Sequence, residues 1–226
     1  MELNADFSAR ATVHAARIPW KPSPMAGVDR RMLDRIGDEV ARATLIVRYA
    51  PGSKFSAHTH TGGEEFFVLE GVFQDEHGDF PAGTYVRNPP TTSHTPGSED
   101  GCVIFVKLWQ FDPDDRLQFR VDTNGDNYDA VEGTDGVSRL ELHKDANEAV
   151  CVEKWQPGAQ VELDAPDGLE VLVLSGGFTE QDETFAGQSW LRLPRGATTQ
   201  ITAGHDGAKV WIKRNHLAQP PQIPGS

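Results

Sequence analysis

The sequence predicts an all-β protein built as two tandem antiparallel β-barrels, and three observations predict it. Apolar residues gather in short runs rich in β-branched and aromatic side chains, the composition of strands. Glycine (22) and proline (15) interrupt those runs often enough to fold 226 residues back on themselves many times. The second half then repeats the glycine and proline frame of the first, as a duplicated unit would.

In chain order, residues 44–49, 66–69, 84–87 and 103–109 read as strands of the first unit, and 169–174 and 209–213 as strands of the second. Polar clusters at 75–79 and 98–101 are the turns between them. The repeat sets the boundaries. Pro51-Gly52 recurs as Pro157-Gly158, Glu64 as Glu170 and Gly71 as Gly177, each 106 residues on. Gly83 recurs as Gly187, 104 on, and Gly27-Val28 and Arg30 recur as Gly136-Val137 and Arg139, 109 on. The expected organisation is a first barrel over 1–115, a polar linker over 116–134 and a second barrel over 135–226, ending in a loose proline-rich tail. Asp122, Asn124 and Asp126 in the linker resemble the start of a calcium loop. Asn127 and Gly133 stand where that loop needs glycine and glutamate, so the segment reads as solvated.

The first unit carries the residues with chemistry. His58 and His60 are two apart and share one face of a strand, because strand side chains alternate with period two. Thr61-Gly62-Gly63 can turn the chain so that Glu64 meets the same point from the next strand, and His94 arrives from a later hairpin. Three imidazoles and one carboxylate form a ligand set for one divalent transition metal per chain: zinc first, with iron, manganese or nickel compatible. The second unit keeps the frame without the ligands. Asp164 and Pro166 are expected where His58 and His60 stand, and Thr198 or Thr199 where His94 stands, leaving Glu170 alone. His205 and His216 read as surface residues. Tyr85 and Arg87 on one strand, and Phe105, Lys107 and Trp109 on another, are candidates for lining a pocket, although strand residues more often only cover sheet faces.

Composition excludes several classes. A formal net charge of −13 argues against nucleic acid and anionic membrane surfaces as partners. No apolar run approaches a membrane span and the N-terminus lacks a signal pattern, so a cytoplasmic location is expected. Cys102 and Cys151 lie in apolar runs and read as buried free thiols. The apolar strand 103–109, whose one charge is Lys107, suggests a surface for homodimerisation.

The spacing around the ligands is itself a signature. Gly52, His58, His60, Glu64 and Gly71, followed by Gly83, Pro89, Thr91 and His94, resemble the two-part motif of the cupin superfamily, with Thr91 where that motif usually has glycine. Both motif spacings select Glu64 over Glu65. The segments 26–34, 62–65, 68–73, 87–90, 93–96 and 105–110 further resemble the C-terminal cupin domain of ChrR-type anti-sigma factors and, more distantly, the acetylacetone-cleaving dioxygenase. The ChrR resemblance implies zinc at His58, His60, Glu64 and His94. The dioxygenase resemblance implies an iron site acting on a small carbonyl compound, although Glu64 adds a donor to that three-histidine set. The roughly 40 residues before the first predicted strand, 44–49, have no cysteine and are too short for the helical zinc module of ChrR-type proteins, so sigma-factor binding is not expected. Two functions remain open: a metal-bound sensor or binding module, or a metal-dependent enzyme on a small diketone-like substrate held in the first barrel.

Overall fold

A computed structural model describes residues 1–38, 40–221 and 223–224. The chain divides into two units, residues Met1–Ala5, Ile18–Asn124 and Pro221–Ser226 in the first and Asp6–Arg17 with Gly125–Pro220 in the second. Every strand pairing given is antiparallel, and a single 3-10 turn, Ala15–Arg17, is the one helical element among the described residues. This is the all-β, two-barrel architecture that the repeat predicts.

In the first unit the main sheet runs in the order Glu2–Leu3, Val28–Gly37, Ala41–Tyr49, Cys102–Leu108, Glu64–Asp75, Thr84–Asn88, Phe119–Asp122. Gly97–Ser98 joins Ser53–Lys54 to the far end of Glu64–Asp75, and His58–Thr59 pairs with Ser93–His94. Period-two alternation sorts the side chains. Leu45, Val47, Phe66, Val68, Ile104 and Val106 fill the interior. Glu65 faces the other way, where it accepts the Tyr85 hydroxyl at 2.6 Å. On that outer face Arg87 donates to Asp115 at 2.6 Å and Lys107 to Thr44 at 3.0 Å. The strand Cys102–Leu108 is therefore buried or half-buried along its whole length and presents no apolar patch, which removes the ground for expecting it to drive dimerisation.

In the second unit the order is Asp129–Ala130, Val137–Lys144, Ala149–Trp155, Ala197–Arg214, Leu169–Glu180, Ser189–Leu193, Ala11–His14. Within 116–134, the segment read as a linker, Phe119–Asp122 forms a strand of the first sheet and Asp129–Ala130 a strand of the second. Of the C-terminal segment expected as a tail, residues 222, 225 and 226 lie outside the described residues.

Hydrogen-bond register fixes which residues of the two barrels correspond, and it shifts the frame by one. Asn88 pairs with Glu64, and Leu193 with Leu169. His94 pairs with His58, and Thr199 with Leu163. Thr91 N–H donates to the His60 carbonyl, and Gly196 N–H to that of Ala165. The counterparts of His58, His60, Glu64 and His94 are therefore Leu163, Ala165, Leu169 and Thr199, and the expected Asp164 and Pro166 are corrected. Glu170 is not the remnant of Glu64. It corresponds to Glu65, facing Arg192 and Lys213 as Glu65 faces Arg87 and Lys107. Likewise Gly71 corresponds to Gly176, not Gly177: both have left-handed backbones, φ 69° and 67°. Gly83 corresponds to Gln188, not Gly187: each N–H donates to the matched carbonyl, Val68 or Val173. The frame slips because the first barrel breaks its strand between Lys54 and His58, while Gln160–Ala165 runs through uninterrupted, one residue shorter.

Candidate metal centre

The four expected ligands come together at one end of the first barrel's interior. The turn that brings His60 and Glu64 onto one point has a local cause in Gly62 and Gly63. A Cβ on Gly62 would lie 2.2 Å from the Trp109 ring, and one on Gly63 would lie 2.4 Å from the Phe111 ring. Only hydrogen fits beneath these aromatics, and Gly63 also sits at φ 75°. Trp109, at φ 60°, ends the strand Cys102–Leu108, and its N–H donates to the Gly63 carbonyl at 3.1 Å.

One donor atom from each of His58, His60, Glu64 and His94 lies within 4.8 Å of all the others. His60 and His94 face each other through Nε2 at 3.1 Å, and Glu64 Oε1 stands 3.5 and 3.6 Å from those two nitrogens. Neighbours set the tautomer of each ring. His58 Nδ1 lies 3.1 Å from the Ser56 carbonyl, which can only accept. His94 Nδ1 lies 3.1 Å from Asp75 Oδ2. Thr92 Oγ1 donates to the Pro89 carbonyl at 2.8 Å and is left to accept from His60 Nδ1 at 3.0 Å. Each Nδ1 thus has an acceptor for its proton, which leaves Nε2 of each ring as the atom able to bind a cation.

The consequence is a convergence of four metal-donor side chains, of which His60, Glu64 and His94 are buried. Glu64 Oε1 is buried without a hydrogen-bond partner. A buried carboxylate oxygen in this state is costly alone, because it has lost water and gained no hydrogen bond. A divalent cation satisfies all four donors at once, so the donor set fits a transition metal of the borderline, imidazole-preferring kind. Electrostatics follow the geometry. Burial pulls the His60 pKa below the ordinary histidine value. For His94 burial acts in the same direction but is outweighed by the Asp75 hydrogen bond and the Glu64 charge, which raise it.

The cluster opens into a cavity of about 540 Å³. Its walls are mainly apolar, with Met25, Leu45, Phe55, Ile104 and Trp109 among them, and Tyr49, Arg30 and Arg35 are polar members. Of the residues expected as pocket candidates, Trp109 lines this cavity. Tyr85, Arg87, Phe105 and Lys107 do not, because they lie on the opposite face of their strands. Sequence reasoning missed Asp75, Thr92 and Tyr49, since none sits at a motif position. Asp75 lies an odd number of residues after Glu64, so period two would put it on the opposite face. The register shift between Val68 and Glu70 is what returns it to the ligand face.

The second barrel shows what replaces the site. Leu163, Ala165 and Leu169 are fully buried within its apolar core. The position of Asp75 is held by Glu180, whose Oε1 accepts the Thr199 hydroxyl at 2.8 Å, so the contact survives after the imidazole has gone. His216, expected at the surface, instead points inward, with Nε2 2.9 Å from Glu170 Oε1 and a side chain 5% exposed. His205 is exposed, and Cys102 and Cys151 are buried free thiols.

Residues 8–112 match the family model described as the ChrR cupin-like domain. No curated protein matches the sequence. Among solved structures, the chain is similar to a protein from Nostoc punctiforme described as a candidate dioxygenase, at 17% identity over 99% of this chain and 85% of that one, with a TM-score of 0.73. It is also similar to the bacterial pirin YhhW from Escherichia coli in complex with nickel(II), at 15% identity over 92% and 99% of the two chains, TM-score 0.64. An oxalate decarboxylase variant from Bacillus subtilis matches at 12% identity over 91% and 77%, TM-score 0.57. At these identities the likeness is one of fold. No helix among the described residues is long and apolar enough to cross a membrane.

Proposed function

We propose that this chain, a member of the cupin superfamily, holds one divalent transition metal in its first barrel through His58, His60, Glu64 and His94, and presents it to a small molecule in the adjoining cavity. The observation that carries this reading is the convergence of the four donors, one atom of each within 4.8 Å of all the others, with Glu64 Oε1 buried and unpartnered among them. A bound divalent ion supplies a Lewis acid that can polarise a ligand oxygen, with positions left open beyond four protein donors on a six-coordinate ion.

The chain's own residues supply the rest. Asp75, Thr92 and the Ser56 carbonyl hold the imidazole rings in their tautomers, the kind of support that conserves ligand orientation around a metal. Leu45, Ile104 and Trp109 give the cavity a dry wall. The Tyr49 hydroxyl has no hydrogen-bond partner among the described residues. Burial, with the Glu64 charge adding to it, holds its pKa well above the ordinary value, so it remains a proton donor toward a ligand oxygen.

The cavity favours an open site that binds or transforms a small carbonyl compound. A closed zinc site in a ChrR-like sensor or binding module is the second reading, supported by the family match over residues 8–112. Elemental analysis of the purified chain tests the first step, with one zinc, iron, manganese or nickel per chain expected. Oxygen uptake by the metal-loaded chain on small β-dicarbonyls then separates the two readings. Uptake supports the enzyme, and binding without turnover supports the module. A chain that retains no metal after purification and reconstitution would overturn both.

A further inference from the structure

We infer that the cavity of the first barrel takes a small ligand bearing a carboxylate, held by the Arg30 guanidinium, with the rest of the molecule directed to the metal centre. The metal part of this inference rests on the proposed function above.

Both barrels share one arginine position at the same register. Arg30 pairs in register with Val47, and Arg139, its repeat, pairs in register with Glu153. In the second barrel the guanidinium is neutralised on the spot: Arg139 Nε and Nη2 reach Glu153 Oε1 at 2.8 and 2.7 Å, and the Glu153 side chain is 1% exposed. In the first barrel Val47 stands where that carboxylate would be. Arg30 has no carboxylate partner among the described residues, and its Nε is buried without a hydrogen bond. A buried guanidinium donor left in this state costs free energy that a matched anion would recover.

Arg30 and Val47 both line the cavity that contains the four metal donors. Arg35 lines it too. Burial, reinforced by the Arg30 charge, depresses the Arg35 pKa, so two cationic groups lie close enough in one wall to oppose each other. Arg35 already donates to the Asp38 carbonyl, which leaves Arg30 as the better placed anion donor. This wall is cationic in a chain whose net charge is −13. The complementary group is a carboxylate because Glu153 shows which group completes this arginine in the equivalent frame. The remaining lining is mainly apolar, which suits a short carbon skeleton between the carboxylate and a carbonyl at the metal.

The test compares acetoacetate with its uncharged methyl ester by calorimetry on the metal-loaded chain, in wild type, Arg30→Gln, Arg30→Lys and Val47→Glu. Charge-assisted pairing predicts that wild type prefers the acid by about tenfold or more. Arg30→Gln should bring acid and ester to equal affinity, and Arg30→Lys should keep part of the preference. Val47→Glu should abolish the preference by rebuilding the second barrel's internal pair. If Val47→Glu fails to fold by circular dichroism, Arg30→Gln decides. Equal affinity for acid and ester in wild type, no binding of either, or an unchanged preference in Arg30→Gln would overturn the inference. Metal content measured on the same samples separates the two failures. A chain without metal sinks the metal reading, whereas a metal-loaded chain without preference sinks only the role of Arg30.

Discussion

The two barrels place opposite chemistries on one backbone frame. At matched register the first has His58, His60, Glu64 and His94, and the second has Leu163, Ala165, Leu169 and Thr199. The second set is stable without help, because its three aliphatic members are fully buried among other aliphatics. The first set carries a cost without a cation, because its Glu64 oxygen is buried with no hydrogen-bond partner. The features common to both belong to the frame, not to the metal. Thr91 and Gly196 both sit in the left-handed region at φ 81° and 73°, and Asp75–His94 persists as Glu180–Thr199. The two barrels share the backbone turns, and core aliphatics stand in the second where donors stand in the first.

The largest expected effect breaks the comparison at its root. His60→Ala combined with His94→Ala should take the chain from one bound metal to none by elemental analysis. Structural zinc sites bind with apparent free energies of about 10–16 kcal/mol, so partial retention would mean that the donors lie elsewhere. Next in size, Leu169→Ala should cost about 2–5 kcal/mol in denaturant melts, as cavity-forming truncations do. Its counterpart Glu64→Ala should cost the metal-free chain little or nothing, since it removes an unpaired acceptor. Equal losses would show that the two positions are not energetic opposites.

Asp75→Asn should weaken metal affinity by about 10–100-fold, the effect of losing the group that orients a ligating imidazole, whereas Glu180→Gln should leave metal content unchanged. Competition with a chelator reads the first, and elemental analysis the second. Smaller still, Thr91→Gly should stabilise the chain by about 1 kcal/mol in thermal melts, because an exposed β-branched residue at φ 81° is strained. Gly196→Thr should destabilise by a similar amount. The comparison should vanish at the thiols. Burial raises both Cys102 and Cys151 to about 11, so each stays protonated at neutral pH and becomes a reactive thiolate only as pH rises toward that value. Neither should react with a thiol reagent at neutral pH in the folded chain, and labelling of one alone would mark a difference in opening between the barrels.

Local sequence was enough for the strands, the duplication and the four donors. Strand period, turn glycines and the spacing of His58, His60 and Glu64 act over a few residues, and His94, 30 residues on, is placed by the second half of the motif. Pairing across the barrel had to come from the fold. The one-residue slip between Lys54 and His58 leaves no mark in a frame counted from glycines, yet it turns Asp164 into Leu163 and Glu170 into the partner of Arg192 and Lys213. Asp75 reaches His94, Thr92 reaches His60, and Arg30 faces Val47 where Arg139 faces Glu153. Each of these contacts joins different strands or turns, and strand register alone decides which side chains meet.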